Sequence, residues 1–136
     1  MTEDKEQKIV VLTGASRGIG HATVKKFASK DWRVITCSRQ AFDDRCPWPG
    51  GERNHIQLDL GNPSQTIEAI KEIKSRIGGK LHALVNNAGI MKESSLMDTS
   101  LEDWNKTISV NLTAPFLLSK FAMPFLIKSE GCIVNI

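Results

Sequence analysis

Tyrosine is missing altogether. The 136 residues include five phenylalanines and three tryptophans, so the chain holds no phenol to give or take a proton. Cysteine is sparse. Cys37, Cys46 and Cys132 form no C-x-x-C pair and are odd in number, a pattern of reduced structural thiols rather than a disulfide framework. His21, His55 and His82 lack the spacing of metal ligands, so no metal site is expected. The first residues, MTEDKEQK, are charged and contain no secretory apolar core. No apolar run approaches the ~20 residues of a membrane span. Lys and Arg number 18 against 15 Asp and Glu, a net charge of +3 without an arginine-rich run; a nucleic-acid surface is not expected. Together these absences predict a cytoplasmic protein with neither a membrane nor a nucleic-acid partner.

What is present is enough for one folded domain. The apolar share is 40%, too high for a disordered chain, and the length suits one core rather than two. Short apolar, β-branched runs predict strands at residues 8–13 (KIVVLT), 32–38 (WRVITCS), 54–60 (NHIQLDL) and 81–86 (LHALVN). A helix is expected after the first run, to about Lys30. A second is expected from Asn62 as N-cap, with Pro63 at its first position, Gln65 three residues past the cap and Gly78-Gly79 as its stop. In it, Ile67, Ile70, Ile73 and Ile77 keep near one face. Ser100, with Asp103 after it, caps a helical region running to about Lys128, which Pro115 and Pro124 should break or kink. Residues 40–53, QAFDDRCPWPGGER, read as an irregular loop without a helix. The end, GCIVNI, reads as a buried strand beginning at Ile133, Val134 and Ile136. Strands apolar on both faces, alternating with helices, predict an α/β fold: a doubly wound parallel sheet in three layers, α/β/α.

TGASRGIG, residues 13–20, lies between the first strand and the first helix. Glycine there allows a tight turn and close backbone approach to a pyrophosphate, and the helix start offers free N–H groups. A plain glycine-rich turn is the other reading, weakened by three glycines in eight residues. The stretch resembles the classical short-chain dehydrogenase/reductase family, with further motifs in register: DL at Asp59-Leu60, NNAG at residues 86–89, and SVNL with Asn111. The resemblance covers the whole chain and implies a Rossmann-type fold, a nicotinamide cofactor and hydride transfer to or from an alcohol or carbonyl. Members that look closest are 3-oxoacyl-carrier-protein and carbonyl reductases.

The family pattern implies that Gly14, Ser16, Arg17, Gly18, Ile19 and Gly20 line the phosphates and ribose. Asp59 would bond the adenine amino group, with the Leu60 amide facing the ring. Asn87, Ala88 and Gly89 would pass the adenosine ribose, and Val110 would lie near the cofactor. An Asp or Glu about 20 residues past the glycines marks NAD sites of this kind. Here Ser38 holds that position and Arg39 follows, with Arg17 in the glycine turn. Two guanidiniums would attract a 2′-phosphate that a carboxylate would repel. NADP(H) is therefore expected, with NAD(H) the alternative; Asp43 or Asp44 reaching back to the ribose would favour the latter.

The family's chemistry uses a Ser, a Tyr and a Lys that cannot be assigned here. Of its catalytic positions only Asn111 is present, implied to hold a water in the proton relay. Residues 1–136 thus read as an incomplete NAD(P)-binding Rossmann domain, cut soon after its fifth strand begins and inactive alone. If the chain is complete, the alternative is a catalytically inactive nucleotide-binding or interaction module. The segment PFLLSKFAMPFLIK, residues 115–128, is apolar nearly all round and should be buried on more than one side. In many family members the next helix covers part of it and the pair forms a dimer interface; these residues lack that helix, so exposed apolar side chains and a homo-oligomer through them are expected.

Overall fold

A computed structural model describes residues 6–136. Five strands form one wholly parallel sheet in the order β3-β2-β1-β4-β5. They are β1 (Ile9–Thr13), β2 (Arg33–Ser38), β3 (His55–Gln57), β4 (Ala83–Asn86) and β5 (Cys132–Asn135). The helices are α1 (Gly18–Ala28), α2 (Gly51–Asn54), α3 (Pro63–Arg76), α4 (Leu101–Ile108) and α5 (Ala114–Lys128), the last two joined by a π-helical turn, Ser109–Thr113.

Alternation along the strands builds two cores, because successive side chains point to opposite faces. Val10, Leu12, Val34, Ala83 and Val85 point to one face and meet Val24 of α1. Val11, Ile35, Cys37 and Leu84 point to the other and meet Ile73 of α3 with Leu118 and Leu126 of α5. This is the expected three-layer α/β/α arrangement.

Local chemistry sets the ends of α3. Asn62 Oδ1 accepts from the Ser64 and Gln65 amides, while Gly78 and Gly79 stop the helix with φ of 60° and 84°. Gln65 does not close a reciprocal capping box; its Oε1 accepts from the Asp59 amide at 2.9 Å, which ties the helix start to the end of β3. Of the isoleucine series, Ile73 and Ile77 are buried and Ile70 packs against the core, while Ile67 is exposed; Thr66 and Ala69 complete the buried face.

The crossover from β2 to β3 is not helix-free. It contains α2, a single turn begun by Gly50 at φ 71° and closed by Asn54 Nδ2 donating to the Gly50 carbonyl at 2.7 Å. Phe42 and Trp48 meet edge to face, 5.0 Å between centroids. Gly51 lies so close beneath them that a Cβ would come within 2.7 Å of the Phe42 ring. The two prolines and paired glycines mask this small apolar cluster, which extends the α1 side of the core.

Pro115 does not break the α4–α5 run. Its ring would clash with the carbonyl four residues back in an α-helix. The π turn widens the spacing at that place, and the Ala114 amide donates to the Ser109 carbonyl five residues back. Pro124 sits inside α5 on an exposed position, and the helix continues through it. The combined run, Leu101–Lys128, is long and apolar enough to cross a membrane by length and composition. In the fold, Ala114, Leu118, Ala122 and Leu126 pack it onto the sheet.

Two apolar elements are only partly covered among the described residues. α5 buries only that one face, leaving Phe116 59% and Ile127 70% exposed. The β5 strand is an edge strand rather than a buried one, with Val134 and Ile136 largely exposed. Among the described residues nothing packs against its outer side.

His82 gives the fold a pH dependence. Its Nδ1 accepts from the Ile9 amide at 3.1 Å, and burial, followed by the Lys8 and Lys80 charges, holds its pKa below the ordinary 6.5 although Glu6 opposes this. The unfolded chain therefore binds this proton more readily. Stability is complete above pH 6.5 and falls as pH drops toward the folded-state value. Melting temperature between pH 7.5 and 5.5 should fall less in His82→Asn, which keeps an acceptor for Ile9 but cannot titrate. Equal falls would remove His82 as the cause.

Candidate functional site

The carboxyl ends of β1, β2, β3 and β4 open into one cleft of about 500 Å³. Such a crevice at the strand ends is where open α/β sheets take ligands. The glycine turn forms its floor. The Gly14 amide donates to the Cys37 carbonyl at 2.9 Å, fixing the turn to the end of β2. Thr13 Oγ1 accepts from the Asn87 and Ala88 amides, and Asn87 Nδ2 donates to the Thr13 and Gly14 carbonyls. Thr13 and Asn87 thus lace β1 to β4 beneath the turn. Gly14 has φ 70°, and a Cβ on it would stand 2.8 Å from the Ala88 Cα. A Cβ on Gly20 would stand 2.0 Å from the Gly14 carbonyl oxygen.

Beyond the turn, α1 points its N-terminus at the cleft. Arg17 is the N-cap in extended conformation; no side chain caps the helix, and its first turn holds no acid. The unpaired amides and positive dipole end are therefore open to an anion. Arg17 and Arg39, both exposed, stand on the cleft wall.

Every candidate cofactor residue lines this single cleft: Gly14, Ser16, Arg17, Gly18, Ile19, Gly20, Ser38, Arg39, Asp59, Leu60, Asn87, Ala88, Gly89 and Val110. Asp59 also closes its own turn, with Oδ1 accepting from the Gly61 amide at 2.8 Å. Asp43 and Asp44 do not line the cleft. The Arg45 guanidinium takes the Asp43 carboxylate at 2.9 Å and holds its pKa below the usual range.

Four further lining residues were not among the candidates: Cys37, Gln40, Leu58 and Ile90. Cys37 and Leu58 neighbour Ser38 and Asp59 at strand ends, a position that signals proximity whatever the residue type. Burial pushes the Cys37 thiol up to about 12, so it forms a neutral wall and not a nucleophile. Asn111 projects from the π turn, a distortion frequent at functional sites. Its Oδ1 accepts from the Ile90 amide and its Nδ2 donates to the Ile90 carbonyl, each at 2.8 Å. One lone pair on Oδ1 and one hydrogen on Nδ2 remain for another partner.

The fold and cleft define a Rossmann-type nucleotide-binding domain. Residues 8–136 match the short chain dehydrogenase family. The protein FixR of Bradyrhizobium diazoefficiens is 46% identical over 139 residues, covering 96% of this chain and 50% of that protein. The 3-oxoacyl-[acyl-carrier-protein] reductase FabG of Escherichia coli is 34% identical over 137 residues, covering 96% and 54%. Among solved structures, a Brucella ovis short-chain oxidoreductase in complex with a partially ordered NAD superposes with a TM-score of 0.87 at 47% identity, covering 96% of this chain and 62% of that one. A metagenomic short-chain oxidoreductase in complex with NADP gives 0.82 at 31% identity, covering 94% and 60%. The chain belongs to the short-chain dehydrogenase/reductase family. It spans about half the length of the curated relatives it matches.

Proposed function

We propose that residues 1–136 are the dinucleotide-binding part of an NADP(H)-dependent oxidoreductase acting on a small alcohol or carbonyl. The observation that carries the cofactor choice is the cleft wall at the end of β2. Ser38 stands there, Arg39 and Arg17 flank the opening, and the loop's Asp43 is engaged by Arg45. A 2′-phosphate beside Ser38 would meet guanidiniums, while Asp59, the carboxylate lining the cleft among the described residues, lies past the end of β3. The glycine cradle, closed to any Cβ at Gly14 and Gly20, and the uncapped α1 start fit a pyrophosphate.

In this reading the α1 amides and Arg17 hold the phosphates, and Asp59 and the Leu60 amide receive the adenine. A nicotinamide bound here supplies the hydride chemistry. The chain's own residues bind and orient the dinucleotide. Asn111 anchors the segment at Ile90 and keeps one donor and one acceptor for a relay water. With no tyrosine among 136 residues, these residues alone do not provide the phenol of general acid–base chemistry. The exposed Phe116, Met123 and Ile127 of α5 support association of copies through that helix.

The test is direct. Fluorescence titration should give NADPH a dissociation constant at least about tenfold below that of NADH, the effect of one charge-assisted bond. Tighter NADH binding would overturn the cofactor assignment.

A further inference from the structure

The Arg39 guanidinium is only as well placed as the backbone that carries it, and residues 39–40 lie just past the end of β2. Side chains of β2 and β3 hold both of their carbonyls. Gln57 Nε2 donates to the Arg39 carbonyl at 3.0 Å. The Gln40 carbonyl accepts from Ser38 Oγ at 3.0 Å and lies 2.8 Å from His55 Nε2. That nitrogen must carry the ring hydrogen, because a carbonyl only accepts. On the other side of the ring, Nδ1 lies 2.8 Å from Thr36 Oγ1, and Thr36 is fully buried.

The register explains why these groups meet. Thr36 pairs with His55 and Ser38 with Gln57 across β2 and β3, so the four side chains share one face of the sheet. The chain runs from a buried hydroxyl, through an imidazole, to the carbonyl beside the cleft wall. We propose that His55, backed by Thr36 and assisted by Gln57, is a positioning residue for cofactor choice. It fixes the Arg39–Gln40 backbone and thereby the stance of the Arg39 guanidinium toward a 2′-phosphate. The inference rests on the reading that Arg39 receives that phosphate. His55 itself does not line the cleft, so its effect passes through residues 39–40.

The experiment measures NADPH and NADH dissociation constants by fluorescence titration, using the protein at the full length its gene encodes. His55→Phe keeps a ring beside Phe42, 6.3 Å away by centroid, and removes the donor. It should lower the preference for NADPH about fivefold, one neutral hydrogen bond's worth, while NADH binding changes less than about twofold. His55→Gln can return an N–H to the Gln40 carbonyl and should restore the preference. Gln57→Ala, at an exposed position where folding is not at stake, should lower it about threefold. Arg39→Ala separates the two claims. If Arg39→Ala lowers the preference while both His55→Phe and Gln57→Ala leave it unchanged, or weaken both cofactors equally, the positioning role is overturned and the Arg39 reading stands. If Arg39→Ala leaves the preference unchanged, the Arg39 reading fails and the inference falls with it.

Discussion

Gly20→Ala is expected to abolish dinucleotide binding, with the NADPH dissociation constant raised at least about a hundredfold. In an ordinary helix this change is favourable, because alanine exceeds glycine in helix propensity by about 1 kcal/mol. Here the added carbon would stand 2.0 Å from the Gly14 carbonyl oxygen and 2.5 Å from Asn87 Nδ2. Neither neighbour is free to retreat. The Gly14 amide is bonded to the Cys37 carbonyl, and Asn87 Nδ2 is bonded to the Thr13 and Gly14 carbonyls. The turn must therefore lift, taking with it the cradle at the α1 start. Overpacking of this kind costs about 1–3 kcal/mol or more, so melting temperature should also fall by roughly 5–15 °C. Gly78→Ala is the control. Its φ of 60° strains any side chain, yet a Cβ there meets nothing within 4 Å and lies outside the cleft. It should lose stability by about 1–2 kcal/mol and leave NADPH binding unchanged. Gly20→Ala protein that binds NADPH within threefold of wild type would show that the turn is not the phosphate seat.

The order of strands and helices was legible because each rests on local signals. β-branched runs, the Asn62-Pro63 start and the Ser100 cap lie within a few residues of what they determine, and all stand near where expected, although β3 shortens from the expected 54–60 to His55–Gln57. The cleft was legible for a related reason. Its lining comes from the ends of strands, so Gly14, Ser38, Asp59 and Asn87 are brought together once the strands are parallel. The misses depend on packing rather than on residue type. Gly51 looked like a breaker but is small because Phe42 and Trp48 close over it. Pro115 looked like a stop but is accommodated by a π turn whose need depends on how α5 meets the sheet. The hydrophobicity of α5 and β5 is legible in the sequence, whereas the extent of their covering depends on what packs outside them. The bracing role of Thr13 and the coupling of His55 to Gln40 are also invisible in sequence, because both arise from register between strands.

Ser38→Asp is expected to shift the cofactor preference from NADPH toward NADH. Ser38 is the last residue of β2, nearly buried at the cleft wall, where a carboxylate would reach a ribose hydroxyl. Two effects act in the same direction. The new charge repels a 2′-phosphate while accepting from a 2′-OH, and it neutralises part of the field of Arg39 and Arg17. The substitution also removes the Ser38 Oγ donor to the Gln40 carbonyl. The aspartate then places an anion beside that oxygen, which loosens the backbone carrying Arg39. A hydrogen bond to a charged group contributes about 1.5–3 kcal/mol, a factor of roughly 10–100 in affinity. With repulsion added, the ratio of NADPH to NADH affinity should fall by about a hundredfold or more, with NADH binding tighter than in wild type. Titration of both cofactors against Ser38→Asp and Ser38→Asn separates charge from shape, because asparagine is nearly isosteric and neutral. A ratio unmoved by aspartate would place the ribose away from the end of β2. Equal falls with aspartate and asparagine would assign the effect to the lost Ser38–Gln40 bond instead of to charge.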